Sequence, residues 1–403
     1  MSPEIIGEEY VRLALAIDQH NPGYIEAYFG PAAWQEQAQT EGARPLPELA
    51  QQAALLADAI ANADGLDEQR REFLTRQVKA MQTSLRLLQG ESMALADEVE
   101  SLYDIRPSWV EESLFAETYR LLDDLLPPGD SLRERMAQRK QGLELSATQL
   151  QQLIPSILRQ LRQLSRDRFP LPEEEAVEFV FVQDQPWMAY NWYQGQSRSQ
   201  IEINTDTNLY ITDLVNLVAH EAYPGHHTEF SIKDFRLGQQ AGRVEHCLAL
   251  VNAPSCVVSE GIATCALASV LSDEEWVAWH TAEIFPMAGL AHLDARRERM
   301  IEQALEQLNG AYGNAAFLLH EQGEGEARVR NYFQQYGLLT EEEVEHMIRF
   351  MSNPLDRSYI FTYYWGQKLV EGLLAAKGER PYWYARLLTE AVTPTLIRQW
   401  TQE

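Results

Sequence analysis

The passage that most constrains the fold of this chain is His220-Glu221-Ala222-Tyr223-Pro224-Gly225-His226-His227, which follows an apolar run at positions 214–219. A histidine followed directly by a glutamate on a helix is typical of zinc hydrolases, because it combines a neutral nitrogen ligand with a carboxylate base. Pro224 cannot donate a backbone hydrogen bond, and Gly225 tolerates backbone angles that other residues avoid. The helix is therefore predicted to bulge or kink within this passage.

The spacing of the histidines requires that interruption. Two zinc ligands on one helix normally stand four residues apart, which places both imidazoles on one face. His226 and His227 follow His220 by six and seven residues, so a regular helix would separate them from it by about 9 to 10.5 Å. A two-residue bulge would return His226 to His220 and leave His227 to orient a ligand or contact the substrate. The reverse assignment of the two histidines stays open.

A third ligand is predicted at Glu260. A zinc ion that supports hydrolysis needs three protein ligands and one open position. Glu260 lies 34 residues after His226 in a stretch of small and apolar residues, where a free carboxylate is costly to bury. Metal coordination accounts for a carboxylate in such a place. The alternatives are a glutamate that starts a helix and one that is paired with an arginine.

These residues resemble the bacterial domain of unknown function 885 family, which is placed among the zincin-like metallopeptidases. The resemblance is carried by the octapeptide, Ser259–Gly261, Trp187–Gly195, Arg198-Ser199 with Ile203-Asn204, Pro354–Gly366 and Tyr28–Pro31. It implies a mainly helical zinc peptidase with His220, one of the two following histidines and Glu260 as ligands, and Glu221 as the base. At Ile262 and Cys265 the chain departs from the tryptophan and tyrosine that are frequent in the family, so the pocket wall is expected to differ there.

The hydrophobic pattern predicts helices over most of the chain. Apolar residues recur every three to four positions at about 5–20, 46–90 with a break near Asp64, 108–125 and 131–165. Positions 177–182 and 199–204 alternate with a period of two and predict a small antiparallel sheet beside the metal-binding helix. Further helices are predicted at about 240–251, 255–271, 273–308, 324–336, 341–351 and 358–376.

The predicted fold class is mainly α, with a large helical body, this small sheet and a zincin-like cleft. Residues 1–168 are predicted as an amino-terminal helical region, and residues 169–403 as the catalytic region that contains the sheet.

The predicted sheet offers candidate substrate contacts. A free strand edge can pair with an extended peptide independently of its side chains. Tyr190 and Asn191 lie among aromatic residues between the two predicted strands and are candidates to line the cleft, although aromatic residues in a hairpin are often core or cross-strand pairs. Arg198 is a candidate anchor for a peptide carboxylate because its guanidinium suits bidentate contact, and a surface ion pair is the alternative.

The segment Pro354–Gly366 supplies the second set of candidates. Tyr359 and Tyr363 stand four residues apart and share a helical face. A phenol from either one could stabilise the oxyanion that develops during peptide hydrolysis. Arg357 is a candidate substrate anchor. The alternative for the tyrosines is that they cap a core helix.

Composition narrows the partners and the compartment. Sixty acidic and 33 basic residues give a net charge of −27, which disfavours binding to nucleic acid and anionic membranes. The first nine residues show no basic segment followed by an apolar stretch, and nowhere do 18 apolar residues run together. Three cysteines form no disulfide framework. The sequence predicts a cytoplasmic protein without a membrane partner, and the number of chains in an assembly stays open.

The predicted function is zinc-dependent hydrolysis of peptide bonds in short or unfolded peptides. Zinc is held by His220, His226 and Glu260, and Glu221 activates water and protonates the leaving amine. One alternative is a metal hydrolase of another amide or ester, with the same ligands. The other is a non-catalytic helical scaffold with a structural metal. Glu221 separates the scaffold from the enzymes, because a closed structural site has no use for a base beside its first ligand.

Overall fold

The structure, a computed structural model, describes residues 1–185, 187–353 and 357–403. Over these residues the chain is mainly helical, as the sequence predicts. The first half contains α1 (Pro3–Asp18), α2 (Ala32–Glu41), α3 (Leu46–Asn62), α4 (Glu68–Leu88), α5 (Leu95–Tyr103), α6 (Glu112–Leu125), α7 (Leu132–Leu143) and α8 (Ala147–Arg166). The predicted break near Asp64 is confirmed, because α3 ends at Asn62 and α4 begins at Glu68.

The second half is built mainly from shorter helices. They are α9 (Ile211–Glu221), α10 (His226–Lys233), α11 (Pro254–Thr264), α12 (Ala266–Val270), α13 (Asp273–Trp279), α14 (Phe285–Met287), α15 (Ala295–Glu306), α16 (Gly310–His320), α17 (Glu326–Tyr336), α18 (Glu341–Ser352), α19 (Ile360–Lys377), α20 (Arg380–Thr389) and α21 (Pro394–Gln402). Two π-helical segments, Asp234–Gln240 and His280–Ile284, extend α10 and α13.

Two small sheets lie among these helices in the described part of the chain. Their strands are β1 (Ile25–Tyr28), β2 (Ala176–Val182), β3 (Ala189–Tyr193), β4 (Arg198–Asn204) and β5 (Leu248–Leu250). β1 and β5 form an antiparallel pair. The other sheet has the order β2-β4-β3, with β2 parallel and β3 antiparallel to β4. The sheet beside the predicted metal-binding helix is therefore mixed, whereas the sequence predicted an antiparallel one.

The prediction of a helix at about 240–251 is wrong. A 3₁₀ turn at Val244–Cys247 leads into β5 instead. The partner of β5 is β1, more than 200 residues earlier in the chain, so the pairing that decides its conformation is not visible in the local pattern. The helix predicted at 273–308 is also interrupted, because α14 ends at Met287 and α15 begins only at Ala295.

Three hydrophobic cores hold the described residues together. One surrounds α8, α9 and β4. The second joins α5 and α6 to α15–α18, and the third joins α1, α3 and α4 to β5. The second and third cores thus combine side chains from both sides of residue 168, so the two predicted regions share cores. No helix among the described residues has the length and apolar content needed to span a membrane.

Candidate functional site

Three predicted site residues, His220, His226 and Glu260, meet in the structure. Their candidate ligand atoms all lie within 4.8 Å of one another. His220 Nε2 is 3.5 Å from Glu260 Oε2, and His226 Nε2 is 3.8 Å from Glu260 Oε1. The two histidines come from the end of α9 and the start of α10, and the glutamate comes from α11.

The chain brings the two histidines together by ending α9 at Glu221 and beginning α10 at His226. The sequence predicted a bulge or kink within the helix, whereas the structure has a complete break. The Tyr223–Pro224 peptide bond between α9 and α10 is cis. The Gly225 N–H donates to the Ala219 carbonyl at 2.9 Å. The turn leaves the rings of His220 and His226 with their centroids 4.7 Å apart. A Cβ at position 225 would lie 1.9 Å from the His220 carbonyl oxygen, so the turn requires glycine.

The ionisation of the cluster favours a bound cation. Burial lowers the pKa of His226 to about 4 and that of His220 well below its usual value, so both imidazoles are neutral near pH 7. Burial also raises the pKa of Glu260. Glu260 is only 4% exposed, and its Oε2 has no hydrogen-bond partner among the described residues. A divalent cation would satisfy this buried oxygen, and two nitrogens with one carboxylate form a donor set that zinc accepts with a position left open.

A second layer of contacts orients His226. Its Nδ1 lies 3.1 Å from the Ser259 hydroxyl oxygen. The Ser259 hydroxyl donates to Glu229 at 2.6 Å, and Glu229 is paired with Lys233 at 2.6 Å. Because the Ser259 hydroxyl donates its hydrogen bond to Glu229, the serine oxygen accepts a hydrogen bond from His226 Nδ1–H. The lone pair of Nε2 is then left facing Glu260. This arrangement is typical of histidines that bind metals.

Of the three cluster residues, His220 lines a cleft of about 760 Å³. Asp213, Asn216, Leu217 and His220, spaced at three and four residues, line it from one face of α9. Glu221 also lines the cleft and is 8% exposed. Burial, assisted by a nearby negative charge, raises the pKa of Glu221 to about 8.

Tyr359, which directly precedes α19, and Tyr363, which lies on α19, also line the cleft. Tyr359 donates a hydrogen bond from its hydroxyl to Glu260 Oε1 at 2.7 Å. The ring of Tyr363 lies 5.5 Å from that of Tyr359, and Tyr363 is 41% exposed. Tyr190 lines the cleft from β3 and packs against Trp187 and Trp192. The predicted segment began at Pro354, and Pro354–Asp356 lie outside the described residues.

Asn191 and Arg357 hold parts of the protein in place and do not line the cleft. Asn191 is buried, and its side-chain amide donates to the Glu221 carbonyl at 2.6 Å. Arg357 is paired with Glu98, which is 1% exposed and also accepts a hydrogen bond from Ser358. The guanidinium predicted to anchor a substrate is therefore already engaged.

The structure does not bring Arg198 or His227 to the cleft. Arg198 begins β4, is exposed and does not contribute to the cleft wall. The His227 side chain is fully buried. Its Nδ1 lies 2.8 Å from the Ser199 hydroxyl and its Nε2 lies 3.3 Å from Glu175. Because both ring nitrogens of His227 are engaged in the interior, neither is free to contact a substrate. Of the two adjacent histidines, His226 is the one whose ring faces Glu260.

Sequence reasoning missed several residues of the site. They are Glu26 in the cleft wall, the pair Ser259 and Glu229 beside His226, Glu175 beside His227, and Glu98 beside Ser358. Glu26 stands two residues before Tyr28–Pro31, where the family resemblance resumes near the start of the chain. That match was a signal for Glu26, and Ser259 lies in the segment Ser259–Gly261 that carries the same resemblance. The others are ordinary polar residues in sequence, and only their burial distinguishes them.

Comparisons with known proteins show the fold and no function. No protein-family model matches the chain, and no curated protein matches it. A crystal structure described as that of "the putative lipoprotein from Colwellia psychrerythraea" is similar, with a TM-score of 0.55 and 15% identity over 88% of this chain and 66% of the other. A second, "a putative lipoprotein of unknown function from Shewanella oneidensis", has a TM-score of 0.51 and 12% identity over 92% and 76% of the two chains. The chain thus spans just under two thirds of the first neighbour.

Proposed function

We propose that this protein is a zinc-dependent metallopeptidase that hydrolyses short or unfolded peptides in a zincin-like cleft. The observation that carries the proposal is the buried Glu260 oxygen that faces His220 and has no hydrogen-bond partner within the described part of the chain. A carboxylate buried beside two neutral imidazoles is costly without a cation. The adjacent Glu221 supplies a base that a closed structural metal site would not need.

The residues divide the chemistry among them. His220, His226 and Glu260 would hold zinc, which supplies a Lewis acid that lowers the pKa of water and polarises the scissile carbonyl. Glu221 accepts a proton from the attacking water and passes it to the leaving amine. Tyr363 stabilises the developing oxyanion, because its hydroxyl group belongs to a partly exposed side chain in the cleft wall. Tyr359 holds Glu260 through its hydrogen bond.

The substrate site belongs to the same proposal. β3 is an edge strand of its sheet and presents Tyr190 to the cleft. An extended peptide can pair with such an edge through its backbone. We infer that the peptide lies along β3 with the scissile bond near Glu221.

The compartment is proposed on composition. We infer a cytoplasmic protein without nucleic-acid or membrane partners, because the net charge is −27 and Cys247, Cys256 and Cys265 are free. Both structural neighbours carry the description "putative lipoprotein". Fractionation of the native cells, with antibody detection of the protein in the membrane and soluble fractions, tests the compartment.

Metal content tests the ligands. Purified protein should contain about one zinc ion per chain, and His220→Ala and Glu260→Ala should each lose it. His292→Ala is the matched control, since His292 is exposed and outside the cluster. Elemental analysis after dialysis gives the stoichiometry. Full zinc retention in both ligand variants would exclude this site.

Hydrolysis of a peptide library tests the reaction. Glu221→Gln keeps the shape of the side chain and removes its basicity. The variant should bind zinc as the wild type does, while peptide hydrolysis falls by about 10²- to 10⁴-fold. Equal hydrolysis by the two proteins would refute the role of Glu221. A zinc-loaded wild type that cleaves other amides or esters but no peptide would identify the alternative hydrolase.

A further inference from the structure

Glu26 is a carboxylate in the cleft wall that the chain itself does not pair. It lies on β1, in the amino-terminal part of the chain, and lines the cleft together with His220 and Glu221. It has no hydrogen bond or ion pair with any described residue. Its nearest electrostatic influences are negative: Glu229 raises the pKa of Glu26, and Glu26 in turn raises that of Glu221.

An unpaired, partly buried carboxylate costs free energy that a ligand cation can recover. Burial, with a smaller contribution from Glu229, raises the pKa of Glu26 to about 7. No described residue supplies a cation to this side chain. A positively charged group that enters with the substrate would meet Glu26 in a setting with limited access to water, where charge-assisted hydrogen bonds are strong.

The charge of the whole cleft favours the same kind of ligand. Its described lining contains the carboxylates of Glu26, Asp213, Glu221 and Glu306 and no lysine or arginine. The two arginines that the sequence predicted as substrate anchors lie elsewhere: one is exposed on β4, and the other is paired with a buried glutamate. Recognition of a peptide carboxylate therefore lacks a partner among the described lining residues.

Glu26 also lines two further cavities, and the smaller of these, of about 60 Å³, includes Lys233, which is paired with Glu229. A second cavity of about 480 Å³ is lined by β1 and by Trp192 and Tyr193 of β3, and it shares Glu26 with the main cleft. Its other acidic lining residues are Asp18 and Glu202, again without lysine or arginine among the described lining. A peptide that lies along β3 would pass Glu26 as it leaves the metal cluster.

We propose that Glu26 is a specificity-determining residue that binds a positively charged nitrogen of the peptide substrate, either the free terminal amino group or a basic side chain. This inference rests on the proposed peptidase function. It assigns the substrate class as cationic peptides and places the recognition element on the amino-terminal region, outside the segment that carries the metal ligands.

Two matched pairs of peptides test the proposal with the zinc-loaded, full-length protein. One pair differs only in acetylation of the amino terminus. The other pair is acetylated and differs only in lysine against glutamine beside the scissile bond. The wild type should prefer the cationic member of one pair by about 10- to 100-fold in kcat/KM, the range of a charge-assisted hydrogen bond. The pair that shows the preference identifies which nitrogen is recognised.

Three variants then separate recognition from structure. Glu26→Gln should lose the preference, so that the ratio of kcat/KM between the cationic and the neutral member falls to about 1. Glu26→Lys should disfavour the cationic peptide. Glu36→Gln, which removes one exposed carboxylate on α2, should keep the wild-type preference. A structural role of Glu26 would instead lower hydrolysis of both members equally, and that result, or an absent preference in the wild type, would overturn the proposal.

A binding measurement keeps this test independent of turnover. Calorimetry with zinc-loaded Glu221→Gln, and with the same protein carrying Glu26→Gln, measures the affinity of each peptide pair without hydrolysis. A preference for the cationic member that depends on Glu26 supports the inference even if the wild type cleaves no peptide, in which case only the proposed reaction fails. Equal binding of both members by Glu221→Gln overturns the inference.

Discussion

Replacing Glu175 by glutamine should lower the free energy of unfolding by about 3 kcal/mol at neutral pH. Glu175 is 2% exposed and interacts with Tyr223, His227, Arg162 and Arg166. Burial alone would raise its pKa, but these four hydrogen-bonding partners lower the pKa from 4.5 to about 2. Since each pKa unit corresponds to about 1.4 kcal/mol, this lowering is worth about 3 kcal/mol to the folded state.

The pH dependence of that stabilisation has a definite sign. The folded pKa lies below the unfolded one, so the unfolded chain binds more protons between about pH 4.5 and 2. The contribution of Glu175 is therefore complete above that range and is lost as the pH falls through it. Arg162 and Arg166 have side chains that are 42% and 33% exposed, so both keep contact with water in the variant. No unpaired buried arginine then adds to the cost.

Urea unfolding followed by circular dichroism, with zinc removed by a chelator, measures the effect at pH 7 and at several lower values. Glu174→Gln is the matched control because Glu174 is the exposed neighbour of Glu175 in the same loop, and it should stay within about 0.5 kcal/mol of the wild type. The reasoning is refuted if Glu175→Gln is equally stable at pH 7, or if the difference from the wild type grows as the pH falls below 4.5.

Three further substitutions test how the site is built. Gly225→Ala should cost about 1 to 3 kcal/mol or more and weaken zinc binding in a chelator titration, because its Cβ would lie 1.9 Å from the His220 carbonyl oxygen. His227→Ala should lower the unfolding free energy in urea by about 2 to 4 kcal/mol, since its buried ring has both nitrogens engaged. Glu98→Gln should lower kcat for peptides roughly 10- to 100-fold with zinc content unchanged, because Glu98 holds the two residues before Tyr359.

Two of these substitutions have a matched control, and all three have a contrary outcome. Gly372→Ala adds a Cβ in open space at an exposed position of α19 and should not destabilise the protein, so equal effects at the two glycines would contradict the steric explanation. If His227→Ala reduced turnover without changing the unfolding free energy, the result would support the sequence-based prediction that His227 contacts the substrate. Glu100→Gln removes an exposed carboxylate on the same helix as Glu98, and a matching loss of kcat there would show that position 98 is not special.

The sequence could predict the parts of the site that depend on local chemistry. Pro224 lacks the N–H that a regular helix needs and Gly225 favours backbone angles outside the helix, so the interruption between His220 and His226 was predictable from backbone chemistry. The unusual placement of Glu260 among small apolar residues also pointed to the cluster. The extent of the break was not predictable, because it depends on how α10 packs after the turn.

Residues whose role depends on a distant partner were misplaced or missed. Arg357 looked like a free anchor, yet its partner Glu98 is 259 residues earlier in the chain. His227 looked equivalent to His226 until Glu175, 52 residues before it, was seen to fill the space beside its ring. The segment that forms β5 was predicted as a helix from its local pattern. Its strand conformation depends on pairing with β1, which is also far away in the sequence.

The sequence by itself therefore determined a mainly helical chain with a His-Glu pair, a broken helix and a second carboxylate suited to the same cluster. These follow from backbone geometry, side-chain periodicity and ligand chemistry, which act over a few residues. The tertiary structure decided which histidine faces Glu260, which carboxylates are buried and which arginines are engaged. Those outcomes depend on solvent exclusion and on contacts between helices far apart in sequence, and neither is encoded in any short segment of the chain.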